Sequence, residues 1–316
     1  MAPLRKFLSS YREHPAGAEH ELVVIFNGVT AERRPALRAE LEGIEHRPLT
    51  LSEPVQDLAA YAQAAGRLEH DRVCFLNSHT VILAPDWLAK LNDALDQPRV
   101  GLAGASGSWA SLRSWALHAM RLPSAYRGVL PDAPQARAQF GAIDLERGGA
   151  RESPPSSPTT PGRALGVRSE RLRTMFEQLS GFEGFPAAHL RTNAFMVERV
   201  LFAGLRMGRI ARKMDAYRLE SGRESFTNQV HGLGLRTVVV AREGAVYDRR
   251  RWPLSATFWQ GDQEDLLIAD NQTRLYGDAG IDRRRLLSAC AWGPQADPRL
   301  AASSTAGTHE SRGGAG

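Results

Sequence analysis

Short unbroken apolar runs and segments of helical spacing alternate along the first third of the chain. Residues 21–28 (ELVVIFNG) form such a run and end in Asn-Gly, the pattern of a central strand delivered into a loop. Residues 32–44 (ERRPALRAELEGI) have helical spacing, and 46–52 (HRPLTLS) suit a second strand. Residues 54–68 (PVQDLAAYAQAAGRL) predict a helix with Pro54 near its start. The order then repeats as strand 72–77, helix 85–96 and strand 100–107. Such alternation predicts a mainly parallel sheet flanked by helices, with ligands met at the C-terminal ends of the strands.

The middle of the chain breaks the rhythm. Residues 108–120 have helical spacing, but 147–164 (RGGARESPPSSPTTPGRA) are so rich in Pro, Gly, Ser and Thr that they predict a flexible loop. Order resumes over 182–205, followed by a helical 224–234, an apolar strand at 235–241, and closing segments 266–276 and 282–293. The expectation is one α/β domain over 21–293 with an irregular insertion. Residues 1–20 read as an N-terminal extension and 294–316 as a disordered tail.

Composition changes this picture little. The chain is 42% hydrophobic and 24% charged, as expected of a soluble globular protein. Its net charge of +5 comes almost wholly from arginine, since Lys6, Lys90 and Lys213 are the only lysines. Arginine favours bidentate contacts with phosphate and carboxylate. No basic stripe is interleaved with aromatics, so nucleic acid is not an expected partner. Cys74 lies in a strand and Cys290 follows a helical run, too far apart for zinc-ligand spacing and both suited to packing. No stretch reaches the ~20 apolar residues of a transmembrane span. The N-terminus lacks a signal peptide's apolar stretch. A cytoplasmic protein is expected, with peripheral attachment to the inner membrane left open.

Several polar residues stand at strand ends or on one helix face. Asn27 closes the first strand, and Asp57 and Tyr61 lie one helical turn apart. Asn77, Ser78 and His79 interrupt the apolar stretch CFLNSHTVILAPDWL, and HLRTNAFM places His189, Arg191, Thr192 and Asn193 before a buried segment. In order, VVIFNG, DLAAYAQAA, FLNSHTVILAPDWL, VGLAGASGSW, HLRTNAFMVERVLF, KMDAYRLESGRESFTNQVHGLGLRTVVV and FWQGDQEDLLIADNQTRLY resemble bacterial glycosyltransferase-like proteins of the GT-A fold, near glycosyltransferase family 2. The resemblance covers roughly residues 20–293 and rests on the succession of segments rather than on one motif.

The resemblance implies a Rossmann-like nucleotide-binding half over 21–107 and an acceptor and catalytic half over 182–293. Asn27, Asp57, Tyr61, Asn77, Ser78, His79, Arg191 and Asn193 would meet the nucleotide-sugar donor. Asn77-Ser78-His79 would stand where such enzymes carry an Asp-x-Asp metal clamp. A neutral Asn and His hold a hard cation weakly, so the diphosphate would be bound without metal or with weakly held Mn²⁺ or Mg²⁺, His79 being the candidate ligand. Arginines, among them Arg191, Arg218 and Arg223, are the alternative source of positive charge. The competing role for Asn77-Ser78-His79 is a plain polar turn.

Inverting transfer needs a carboxylate that deprotonates the acceptor hydroxyl. Glu220 is the first candidate, then Asp215 and Glu224; pairing of Glu220 with Arg223 is the competing role. Trp259, Asp262 and Asp270 would cradle a glycan or lipid-linked acceptor, although Asp270 also suits a helix cap. Ser106 to Trp109 could shape the donor pocket. The expected activity is therefore sugar transfer from a nucleotide donor to a hydroxyl acceptor. The alternative is a GT-A-like protein that binds nucleotide or glycan without turnover. A Rossmann dehydrogenase fits poorly, because NGVTAERR after the first strand lacks the Gly-x-Gly-x-x-Gly approach to a pyrophosphate.

Overall fold

The computed structural model describes residues 2–114, 116 and 173–293. The expected flexible loop 147–164, the tail 294–316 and residues 115 and 117–120 of the helix expected at 108–120 lie outside them. The described chain divides into two compact units, one of residues up to Ala110 and from Ala188, the other Ser111–Ala187.

The larger unit begins with α1 (Ala2–Glu13), then β1 (Val23–Asn27), α2 (Arg34–Glu40), β2 (Arg47–Leu51), α3 (Asp57–Ala65) and β3 (Arg72–Leu76). A short β4 (Val81–Ile82), α4 (Trp87–Asp96), β5 (Val100–Gly104) and β6 (Gly107–Ser108) follow. The chain re-enters with β7 (His189–Leu190), β8 (Ala194–Glu198), α5 (Arg199–Gly204), α6 (Lys213–Ser221), α7 (Phe226–Gly232), β9 (Arg236–Val240) and β10 (Val246–Asp248). A 3₁₀ turn (Arg249–Leu254), β11 (Ile268–Ala269), α8 (Asn271–Gly277) and α9 (Ile281–Trp292) complete it. The smaller unit is helical over 173–181, and its Arg113 Nη1 donates to the Leu179 carbonyl at 2.8 Å.

The fold is mixed α/β around an open sheet of order β10-β9-β5-β8-β3. It is not mainly parallel, as the alternation of strands and helices predicts. Among the described strands, parallel pairing is confined to β1–β2 and β5–β9. β8 enters between β3 and β5 antiparallel to both, with Phe195 opposite Phe75 and Met196 opposite Ala103. The reason is visible in its composition. Ala194 to Val197 are all buried, so this strand must be covered on both faces and takes a central place. The periodicity of a run shows that it is buried but not its direction.

Two cores cover the two faces. One gathers Tyr61, Phe75, Phe195, Phe202 and Phe226, with Tyr61 stacked on Phe75 at 4.6 Å between centroids. The other gathers Ile82, Trp87, Leu91, Met196 and Leu267. The N-terminal segment is more than an extension: Phe7 and Leu8 of α1 are buried in this second core. Ser10 Oγ also accepts a 3.0 Å hydrogen bond from the Ile82 amide. Among the described residues, no helix is long and apolar enough to cross a membrane.

Candidate functional site

A cavity of about 720 Å³ lies between β1 and β3 and is closed on its flanks by α1 and α3. Asn27, Asp57, Tyr61, Asn77 and Ser78, drawn from well-separated parts of the chain, all line it. Its wall on the β1 side is built around Asn27. The Asn27 amide donates from Nδ2 to the Val55 carbonyl at 2.8 Å, and Oδ1 accepts from the Val55 amide at 2.9 Å. Both ends of that side chain hold backbone, so Asn27 positions the entry to α3 instead of offering its amide to a ligand. The turn after it needs Gly28, whose φ is +61° and where a Cβ would stand 2.6 Å from Pro54.

Asp57, exposed in the first turn of α3, sits where the helix dipole favours a carboxylate. Tyr61 follows one turn on. It is buried, and its hydroxyl has no hydrogen-bond partner among the described residues. Burial pushes the phenol well above the ordinary tyrosine range, and the charges of Asp57 and Cys74 add to the effect. An orphaned buried hydroxyl is uncommon in folded proteins. Here it faces a cavity.

Asn77, Ser78 and His79 form a turn closed by its own bonds. Asn77 Oδ1 accepts from the His79 amide at 2.9 Å and from Thr80 Oγ1 at 3.3 Å, and the Asn77 carbonyl accepts from the Thr80 amide at 3.1 Å. Ser78 and His79 are exposed. Among the described residues, no three His, Cys, Asp or Glu side chains gather around a point that could hold a metal ion. One cation does reach the turn. Arg274 of α8 donates from Nη1 to the His79 carbonyl at 2.9 Å.

The turn is tied to a second polar group. The Asn77 amide donates to the Asn193 carbonyl at 3.2 Å, and the same carbonyl accepts from Thr80 Oγ1 at 3.3 Å. The neighbouring Thr192 holds Glu220, whose Oε2 accepts from the Thr192 amide at 3.0 Å and from its hydroxyl. Adjacent residues of one loop therefore carry the Asn77 turn and the Glu220 carboxylate. Glu220 is half-buried, and its Oε1 makes no hydrogen bond among the described residues. Ser106 Oγ donates to Asn193 Oδ1 at 3.4 Å, whereas Asn193 Nδ2 is buried with no partner among the described residues.

Other expected site residues do structural work. Arg191 and Asp270, assigned from sequence to donor and acceptor, pair with each other at 2.6 Å in the interior. The Arg191 guanidinium also lies over the Phe258 ring, 4.3 Å from its centroid. Asp270 caps α8, its Oδ1 accepting from the Gln272 and Thr273 amides. Asp215 closes a capping box at the start of α6 and pairs with Arg212 and Arg218. Burial works to raise its pKa, but the Arg212 and Ala211 amides and the two guanidinium charges outweigh that and hold it below the ordinary range. Trp259 is buried against Phe258 and donates from Nε1 to the Gln272 carbonyl at 3.0 Å. Asp262 is exposed and pairs with Arg284 at 2.7 Å. These three acceptor candidates do not converge on an open surface. Glu224 and Arg223 are exposed, and Glu220 binds Thr192.

Two contributions escape sequence reasoning. One is α1, whose Leu4, Phe7, Leu8 and Tyr11 line the cavity. Their i, i+3, i+4, i+7 spacing is the available signal. The other is Arg274, which looks like any exposed helical arginine until the fold sets it against His79.

No known family model matches this chain, and no curated protein matches it.

Proposed function

We propose that the protein is a glycosyltransferase that moves a sugar from a nucleotide donor to a hydroxyl of a glycan or lipid-linked acceptor, on a variant of the GT-A arrangement. One observation carries the reading. Five residues expected at the donor line a single cavity, and the turn at its edge shares a loop with the carboxylate expected to act as base. In this account Asp57 and the Tyr61 hydroxyl meet the nucleoside, which supplies the partner Tyr61 otherwise lacks. The Ser78 hydroxyl and the Arg274 guanidinium meet the diphosphate. Arg274 takes over the charge stabilisation that a carboxylate-held metal would give as the sugar–phosphate bond breaks. Thr192 holds Glu220 by one oxygen so that the other accepts the acceptor's proton. Work at the cytoplasmic face of a membrane would suit a lipid-linked acceptor.

A second reading is a protein that binds nucleotide without turnover. It is favoured by the Asn77 turn, whose side-chain oxygen is already engaged within the turn. Incubation with UDP-, GDP- and dTDP-sugars, followed by release of free nucleotide, separates the two. Turnover should vanish in Glu220→Gln while nucleotide affinity stays. Binding with no turnover in the unaltered protein would leave the second reading.

A further inference from the structure

The five-stranded sheet carries arginine along one end. β3 opens with Arg72, β9 opens with Arg236, and Arg99 stands immediately before β5. β8 runs antiparallel to its neighbours, so Arg199, immediately after it, comes to the same end. The register agrees, with Arg72 opposite Glu198 and Val100 opposite Arg236. β10, antiparallel to β9, ends there at Asp248 and is followed by Arg249, Arg250 and Arg251. Every strand of this sheet therefore delivers arginine to one rim, about 19 Å wide at the usual strand spacing.

The rim is held in shape. Two of its carboxylates are occupied, Asp248 by Arg236 at 2.7 Å and Asp96 by Arg72 at 2.6 Å. Arg99 keeps a left-handed backbone, φ +62°, unusual without glycine, while its Nε donates to the Gly234 carbonyl at 3.1 Å. Beside the rim, residues 199–214 hold Arg199, Arg206, Arg209, Arg212 and Lys213 and no carboxylate. Gln229 of α7 clamps this segment, accepting from the Arg206 amide at 2.7 Å and donating to the Arg206 carbonyl at 3.1 Å. Arg206, Arg209, Arg250 and Arg251 are exposed and make no ion pair among the described residues. Aliphatic side chains stand among them. Val200, Leu233 and Leu254 are 71%, 62% and 63% exposed, three of the five large apolar side chains so exposed among the described residues. They lie on α5, just past α7 and in the 3₁₀ turn, elements that bury Phe202, Val230 and Trp252 in one core and so cover the same face of the sheet.

We infer that this rim docks the protein on an anionic phospholipid bilayer. Arginine meets lipid phosphate bidentately, and single aliphatic chains enter the headgroup layer between the arginines. A protein partner would call for a contiguous apolar centre, and single-stranded RNA for exposed aromatic rings to stack on; the rim offers neither. Docking turns the opposite strand ends, with Asn77 and Asn193, toward the water from which a nucleotide sugar arrives. Those ends stand about 16 Å from the rim, the length of five strand residues. An acceptor hydroxyl met there belongs to a glycan extending from its lipid anchor. That narrowing rests on the transferase reading above; the docking does not.

Flotation of the full chain with vesicles tests the docking. The protein should bind vesicles of equal parts phosphatidylglycerol and phosphatidylcholine, ignore phosphatidylcholine alone, and be released as salt rises. Arg206→Gln with Arg209→Gln should weaken binding about twentyfold, at about fivefold per arginine. Arg33→Gln with Arg38→Gln removes the same charge from exposed positions of α2 and should leave the affinity unchanged. Leu233→Ser should reduce the binding that remains at high salt, and circular dichroism checks that each variant is folded. Absence of binding to the anionic vesicles would overturn the inference. Equal loss from the α2 pair would overturn it too, since net charge alone would then account for binding. Tighter binding of polyglutamate or of a uridine oligonucleotide than of the vesicles would transfer the rim to an acidic protein or to RNA. Vesicle binding by a protein that transfers no sugar would keep the docking and count against the transferase reading.

Discussion

Replacing Asp270 asks whether Arg191 belongs to the fold or to a ligand. The two carboxylate oxygens have separate jobs, Oδ2 pairing with Arg191 at 2.6 Å and Oδ1 capping α8 through the Gln272 and Thr273 amides. Both side chains are nearly sealed, at 10% and 2% exposure. Asp270→Ala strands a buried guanidinium, which costs roughly 3–5 kcal/mol. Loss of the cap adds about 1 kcal/mol. Asp270→Asn keeps an oxygen for the cap and should be milder by about that cap contribution. Urea unfolding followed by far-UV circular dichroism measures both, with the slope checking that the unfolded state is unchanged. The pH dependence has a definite sign. Burial opposes the Asp270 charge, but Arg191 and the Thr273 bonds outweigh it and hold the carboxyl below the ordinary range. Its contribution is therefore full above the unfolded value of about 3.9 and lost as pH falls below it toward the folded pKa. Asp270→Asn should remove that acid sensitivity. A cost under about 1 kcal/mol for Asp270→Ala, the size of an exposed pair, would refute the reasoning and return Arg191 to the donor site.

Tyr61→Phe removes a buried hydroxyl without a partner among the described residues, so urea unfolding should show a stability equal to or above the unaltered protein's, while calorimetry shows weaker nucleotide binding. Asp215→Ala should lose about 1 kcal/mol with the capping box and keep turnover, unlike Glu220→Gln; equal loss of activity in both would reverse their roles. His231 is held below the ordinary histidine range by burial and then by Arg249. Its contribution is full above about pH 6.5 and falls as pH drops through that value toward the folded pKa, so His231→Gln should flatten the stability profile there.

The elements were legible because their periods are clean. The strand expected at 235–241 appears as Arg236–Val240, and the helix expected at 282–293 as Ile281–Trp292. Strand order and direction were not, since β8 reads as buried whichever way it runs. At the site, Asn27, Asp57, Tyr61, Asn77 and Ser78 were found by their places at strand ends and on one helix face, and they do share a cavity. The pairing of Arg191 with Asp270 was not legible, because a residue's chemistry does not name its partner and these two lie 79 positions apart. Arg274 was missed for the same reason. Its link to His79 spans 195 positions and exists only once α8 has docked. Short-range pattern finds the groups, and tertiary pairing decides which of them remain open to a ligand.

The central claim is that the cavity between β1 and β3 receives a nucleotide whose diphosphate meets Arg274. Its most direct test is calorimetric titration of UDP, GDP and dTDP, each with Mn²⁺ and then with EDTA, on the unaltered protein and on Arg274→Gln. The account predicts that one nucleotide binds, that binding survives EDTA, and that Arg274→Gln weakens it. Binding of none of the three, with or without Mn²⁺, would contradict it.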